Sequence, residues 1–316
     1  MSYAVLFPGQ GSQFVGMGAD LFAARPDLLG DAADEILGWS LRDRCLEGPE
    51  EELTRTEHAQ PALYALSYAL WEALAVAIPE PPSAAAGHSL GEYTALTAAG
   101  VLSYPDGLRL VAARGRAMAR AADLESSAMA ALVGAEEADA EALAEARRDE
   151  GGRLWVANLN APGQVVVAGG AEDIVWAEGH AGDFGIRRVI PLRVAGGFHS
   201  PFMAPAAAEL GGALAKVALS PGDFPVWANA TAAPHGEDVA ATLIAQLTVA
   251  VRFSESLTAM AAGGISRFVH IGPGDVTAGL ARRSVEGAQV SAVSSLDDVT
   301  AAVDRLTEPP VGFTPD

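Results

Sequence analysis

Residues 83–99 constrain this chain more than any other stretch. Ser83–Gly87 is a brief run of small, mostly apolar residues, Leu90–Ala99 reads as a helix with Gly100 as its stop, and Gly87-His88-Ser89-Leu90-Gly91 lies between them. Strand, sharp turn and helix in that order is the setting in which a G-x-S-x-G sequence forms a nucleophile elbow. The glycines let the turn close, and the turn lifts the serine hydroxyl to the start of a helix, where the dipole and free N–H groups favour negative charge. Outside such a setting the motif arises by chance, as a glycine-rich connection with an incidental serine.

The same alternation continues on either side. Tyr3–Phe7 is a β-prone run ended by Pro8-Gly9-Gln10-Gly11, a long helix covers about Gln60–Ala77, and Ser103 with Asp106 makes a capping-box-like start for a helix running to about Ala122. From Ala128 the texture changes. Ala128–Val133 is strand-like, Glu136–Arg148 is a helix with acids first and arginines last, and Leu154–Leu159 and Gln164–Ala168 are strands joined at Asn160-Ala-Pro-Gly163. A helix across Ala171–Phe184 and a strand at Arg188–Val194 complete the series. The order β-α-β-β-α-β is that of a ferredoxin-like unit. The chain is therefore read as α/β, a large domain of residues 1–127 and 195–316 carrying an inserted ferredoxin-like small domain of residues 128–194. The proline-rich tail after Thr307 is read as loosely held.

Composition narrows the partners. At 316 residues the chain can bury a sizeable core, and a formal charge of −20 opposes nucleic-acid binding over the whole surface, because phosphate contacts need clustered positive charge. Cys45 is the only cysteine, which excludes an internal disulfide and a multi-cysteine metal site; it reads as a buried thiol in a reducing cytoplasm. The first apolar run has no basic leader and stops at Pro8-Gly9, and no later stretch is apolar for long enough to span a bilayer. A cytoplasmic monomer using no metal or cofactor is expected.

A serine nucleophile needs a base, and the chain has His58, His88, His180, His199, His235 and His270. His88 adjoins the serine, so its side chain points elsewhere. His199 lies in Ala195-Gly-Gly-Phe-His-Ser-Pro201, the loop after the last strand of the insert, where catalytic groups tend to collect. The others read as surface or capping histidines. Gly9-Gln10-Gly11 matches neither phosphate-loop pattern, but Gln10 at a strand end can offer a backbone N–H to an oxyanion, beside the N–H of the residue after the nucleophile. On the helix from Tyr104, at about 100° per residue, Leu110, Val111, Arg114, Ala117, Met118 and Ala121 share one face. Arg114 thus points inward, and either an anionic ligand or an internal Asp or Glu must meet it.

Taken together, Phe7-Pro-Gly-Gln-Gly-Ser-Gln13, Gly87-His-Ser-Leu-Gly-Glu-Tyr93, Ala113-Arg-Gly-Arg-Ala-Met118, Asn160-Ala-Pro-Gly-Gln164, Gly197-Phe-His-Ser200 and Ile271-Gly-Pro-Gly274 are recognisable. The chain resembles the malonyl-CoA:acyl carrier protein transacylases, which include the fatty-acid synthesis enzyme and discrete trans-acting acyltransferases of polyketide pathways. The resemblance implies a hydrolase-like large domain with a parallel sheet, Ser89 as nucleophile, His199 as base, and oxyanion N–H groups from Gln10 and Leu90. It implies that Arg114 holds the free carboxylate of the acyl unit, with Gly197, Phe198 and Gln246 beside the substrate, and that a main-chain carbonyl at Gln246 orients the imidazole. Two departures stand out. Thr248-Val-Ala-Val251 replaces the usual Asn-Pro-Val turn, which leaves open what orients His199, and Gly197 replaces a frequent alanine, a smaller side chain that could admit an alkyl branch and leaves substrate breadth open.

The leading reading is ping-pong transfer of a malonyl or alkylmalonyl group, with coenzyme A thioester as a substrate rather than a cofactor, onto an acyl carrier protein. Arg187 and Arg188 on the insert, and Arg282 and Arg283 after the Gly272-Pro-Gly274 turn, are the candidate docking sites for that acidic carrier. A serine hydrolase could use the same Ser–His pair, but would have no use for a buried arginine beside its acyl pocket. A non-catalytic docking module is the third reading, opposed by the joint presence of Ser89, His199, Gln10 and Arg114.

Overall fold

The structure is a computed structural model that describes residues 2–78 and 80–308; the part of the tail from residue 309 onward lies outside the described residues. Its strands are Ala4–Phe7 (β1), Ala84–Gly87 (β2), Ser127–Val133 (β3), Leu154–Ala161 (β4), Gln164–Gly170 (β5), Arg188–Pro191 (β6), Val226–Ala228 (β7), Ala233–Pro234 (β8), Arg267–Ile271 (β9) and Gln289–Val293 (β10). They form two sheets, ordered β10-β9-β1-β2-β7-β8 and β4-β5-β3-β6.

The larger sheet is parallel except for β8. Its central strand β1 is Ala-Val-Leu-Phe with every residue fully buried, the continuous apolar run expected of a parallel strand covered on both faces. The helices Thr56–Ala77 and Tyr104–Leu124 pack against each other on one side. Ser103 caps the second through a hydrogen bond from the Asp106 N–H, as its sequence indicates.

The smaller sheet is antiparallel, and its first strand β3 lies between β5 and β6. With the helices Glu137–Asp149 and Ala171–His180 on it, this is the ferredoxin-like unit, enclosing its own core of Leu132, Leu143, Leu154, Val156, Val167 and Ile174. Two details differ from the sequence expectation. The expected helix over 171–184 becomes a 3₁₀ turn at Ala181–Phe184, and β6 stops at Pro191, after which the Val194 N–H turns back to the Leu192 carbonyl at 3.0 Å and directs the chain toward His199. The segment before the helix Phe253–Ala262 is tied to the smaller sheet where Val251 sits against β4, its N–H on the Ala157 carbonyl at 2.9 Å and its carbonyl on the Leu159 N–H at 2.8 Å.

The turn between β2 and the helix Gly91–Ala98 is where sequence dictates geometry most tightly. Ser89 has φ of 51°, in the left-handed region that side chains rarely adopt. A Cβ on Gly87 would lie 1.8 Å from the Gly91 carbonyl carbon, and one on Gly91 would lie 2.3 Å from the Phe7 carbonyl oxygen. Both obstacles are backbone and cannot swing away. Gly91→Ala is therefore expected to destabilise the fold by about 3 kcal/mol or more in urea denaturation, the upper range for overpacking. Gly212→Ala, inside a helix with nothing near the added methyl, is expected to gain about 0.5–1 kcal/mol. Similar losses in the two variants would contradict the steric account.

Candidate active site

Ser89 Oγ lies 2.8 Å from His199 Nε2, although 110 residues separate them. The His199 Nδ1–H donates to the main-chain carbonyl of Gln246 at 2.8 Å, so the proton sits on Nδ1 and the bare Nε2 accepts from the serine hydroxyl. A carbonyl thus stands where a triad aspartate would, and Thr248-Val-Ala-Val251 presents it without the Asn-Pro turn. The Thr248 N–H closes on the Ala245 carbonyl at 2.9 Å, and Val251 is anchored to β4. His199 itself has φ of 56° and is 4% exposed. Burial, and after it the neighbouring Arg114 cation, push its pKa down to about 3, with the Gln246 carbonyl opposing.

Arg114 is fully buried. Its Nη1 donates to Gln60 Oε1 at 2.7 Å, and its Nη2 donates to Gln246 Oε1 at 2.9 Å and to Ser89 Oγ at 3.0 Å. Its Nε has no partner, and its guanidinium carbon lies 5.4 Å from the centre of the Tyr93 ring. No carboxylate is in ion-pair contact with it among the described residues, which removes the structural salt bridge as its explanation. Burial pushes its pKa down from the ordinary arginine value, with Tyr93 and Glu92 opposing. A cation so placed has no anion in contact among the described residues, and beside it is a cavity of about 220 Å³ lined by Gln10, Ser89, Leu90, Met118, Phe198 and His199.

Gln10 and Leu90 line that cavity, and neither main-chain N–H is taken by a carbonyl among the described residues. The Gln10 side chain is held away by a 3.3 Å hydrogen bond to Thr56 Oγ1. His88 turns from the serine to donate to Asn160 Oδ1 at 2.7 Å.

Three expectations need correction. Gly197 does not line the cavity: a methyl added there would meet Phe202 at 3.1 Å and Ser127 at 3.2 Å, so its small size opens no room for an alkyl branch. His270 is neither a surface nor a capping residue, being fully buried on β9 between Thr277 Oγ1 at 2.6 Å and the Gly272 carbonyl at 3.0 Å. His235 is also enclosed, donating through Nε2 to Glu92 Oε1 at 2.8 Å. Sequence reasoning missed Asn229, whose Oδ1 accepts from the Ser89 N–H at 2.7 Å and whose Nδ2 donates to the Gly87 carbonyl at 2.7 Å, bracing the elbow. Nothing in Ala228-Asn-Ala-Thr231 marks it. It missed Glu92 as well, although an acid in the otherwise uncharged Gly91–Ala98 helix was a legible signal.

Residues 5–300 match the family model described as acyl transferase domain. The chain belongs to the acyl transferase family. It is 42% identical to the malonyl CoA-acyl carrier protein transacylase of Bacillus subtilis, over 96% of this chain and 97% of that one. Its fold superposes with a TM-score of 0.92 on the malonyl CoA-acyl carrier protein transacylase of Coxiella burnetii, at 33% identity over 98% of both chains. A malonyl-transacylase in complex with a type II polyketide synthase acyl-carrier protein matches at a TM-score of 0.91 and 34% identity, over 96% of this chain and 100% of that one. No helix of this acyltransferase is long and apolar enough to cross a membrane among the described residues.

The depressed histidine gives a pH test. A base whose pKa lies near 3 stays unprotonated through the whole neutral range, so Ser89 labelling by a neutral fluorophosphonate should not slow between about pH 7 and pH 5. Arg114→Ala removes one of the downward pushes, and its acid limb should move to higher pH. A wild-type limb near the ordinary histidine value, or a variant limb at the wild-type position, would contradict this electrostatic account.

Proposed function

We propose that this acyltransferase moves a malonyl-type group from coenzyme A to the phosphopantetheine thiol of an acyl carrier protein through an ester on Ser89. The observation that carries the reading is Arg114, a fully buried guanidinium with no carboxylate in contact among the described residues and its Nη2 3.0 Å from the nucleophile. A guanidinium fork binds one carboxylate by two parallel hydrogen bonds, which would fix the far end of a malonyl unit and bring its thioester carbonyl to Ser89.

In the first half-reaction Ser89 Oγ gives its proton to His199 Nε2 and attacks the thioester carbon. The oxyanion that forms is held by the N–H groups of Gln10 and Leu90. Its collapse breaks the carbon–sulfur bond, and coenzyme A leaves as a thiol with the proton from His199. In the second, His199 takes the proton of the carrier's thiol, the sulfur attacks the ester, and collapse returns Ser89 Oγ with that proton. These steps draw on the chain's own groups, the thioester substrate and the carrier's thiol. A serine hydrolase would use the same pair on water, and Arg114 weighs against it. Phe198 lines the pocket directly, and Gln246 reaches the acyl unit through Arg114. A monomer in the cytoplasm belongs to the reading, since every group above comes from one chain and Cys45 is a buried free thiol.

Incubation with malonyl-CoA alone should add one malonyl mass to the wild type and none to Ser89→Ala. Arg114→Ala should lower kcat/KM for self-acylation by malonyl-CoA on the order of 10²-fold, because a charged group then enters a pocket without a partner, while acetyl-CoA loses little. Lysine should rescue poorly, since it keeps the charge without the fork. Equal loss for both thioesters would return Arg114 to a structural role.

The carrier is acidic and so is this enzyme, so docking needs a local basic surface. Arg187, Arg188, Arg282 and Arg283 are all exposed, and Arg283 donates to Gln164, a residue that lines the cavity. Charge reversal of either pair should slow transfer to the carrier, more at low salt, and leave self-acylation by coenzyme A thioesters unchanged. Equal loss in both half-reactions would rule these arginines out as docking contacts.

A further inference from the structure

Two acids are buried among the described residues, and they are treated differently. Asp173 has an arginine in direct contact, Arg147 Nε at 2.6 Å. Glu92, 0% exposed on the helix that begins at the elbow, has none. Its Oε2 accepts from the Asn229 N–H at 3.0 Å and from Gln246 Nε2 at 2.7 Å, and its Oε1 from His235 Nε2 at 2.8 Å. His235 Nδ1 is buried without a partner, which fits the tautomer carrying its proton on Nε2.

The buried acid with no arginine in contact and the buried arginine with no acid in contact, among the described residues, are joined by one side chain. The Gln246 amide turns its oxygen to Arg114 Nη2 at 2.9 Å and its nitrogen to Glu92 Oε2 at 2.7 Å. Reversed, it would set a donor against the guanidinium and an acceptor against the carboxylate, so the two charges fix its orientation. A direct Arg114–Glu92 bridge would occupy the guanidinium fork. With an amide between them, the charges still offset each other while the fork stays open toward the cavity.

We propose that Glu92 is the counter-charge of Arg114, set one amide away by Gln246, and that it limits how tightly the site holds an anionic acyl group so that the group can be passed on. This inference rests on the reading of Arg114 as the carboxylate site. A carboxylate on Arg114 and the Glu92 carboxylate are like charges roughly 10 Å apart, and at an effective dielectric of about 20 their repulsion weakens binding about tenfold.

The test is the affinity of free malonate, measured by calorimetric titration of the wild type, Glu92→Gln and Arg114→Ala, with Ser89 labelling by a neutral fluorophosphonate counting the folded sites. Glutamine keeps the shape, keeps an acceptor for the Asn229 N–H and loses the charge; its NH2 then faces His235 Nε2, which can accept once the His235 proton moves to Nδ1. Malonate should bind Glu92→Gln about tenfold more tightly than the wild type. A purely structural Glu92 would lower stability without tightening malonate, and unchanged or weaker binding in folded Glu92→Gln overturns the proposal. If Glu92→Gln does not fold alone, added malonate should restore folding and raise its melting temperature with concentration; failure of that rescue also overturns it. Equal malonate affinity in the wild type and Arg114→Ala would instead remove the carboxylate site itself, and this inference with it.

Discussion

A buried guanidinium without a contacting anion is the constraint around which the rest of this site is arranged. Arg114 is fully enclosed, and its hydrogen bonds among the described residues go to the neutral oxygens of Gln60, Ser89 and Gln246. Removing a cation from water costs several kcal/mol even after relaxation, and neutral acceptors recover part of it. The remainder is available to a ligand that brings its own negative charge, which is why this arginine argues for an anionic acyl group more strongly than the Ser–His pair does. Burial first, and this cation after it, depress His199 and keep its Nε2 unprotonated, and the same guanidinium donates to Ser89 Oγ.

The catalytic groups are held largely by main chain. The imidazole is oriented by the Gln246 carbonyl, and in the proposed mechanism the oxyanion is left to the amides of Gln10 and Leu90, which line the cavity. Main-chain groups have no rotamers to lose, so the positions are as rigid as the elements that carry them. That rigidity comes from close approach: β1 and the helix after the elbow meet so tightly that Gly91 has no room for a methyl group. Asn229 then ties the elbow to the end of β7 from below.

Much of the fold was legible because the elements carry strong local signals. The β-α-β-β-α-β order of the insert, the Ser103 cap and the elbow are written in runs of residues next to one another. Strands β7, β9 and β10 were not read, nor was the two-residue β8. β7 is a Val-Trp-Ala triplet after prolines, too short to show a period, and β9 and β10 earn their place by pairing with β1 and each other. Gly197 misled for a related reason. The sequence gives a residue's size but not the direction of its missing side chain, which here faces Phe202 and Ser127 rather than the cavity.

By itself, the sequence determined the turn that carries Ser89, the inward face of Arg114, the insert and the family, since each depends on residues close together or on motifs in a fixed order. Only the tertiary structure decided that His199 reaches Ser89, that Arg114 meets no carboxylate among the described residues, and that Gln246 stands between Arg114 and Glu92. Those contacts join residues 110, 132 and 154 positions apart. Helical period and turn chemistry act over a few residues, whereas the pairing of distant charges is fixed by how two layers pack, and no local pattern encodes it.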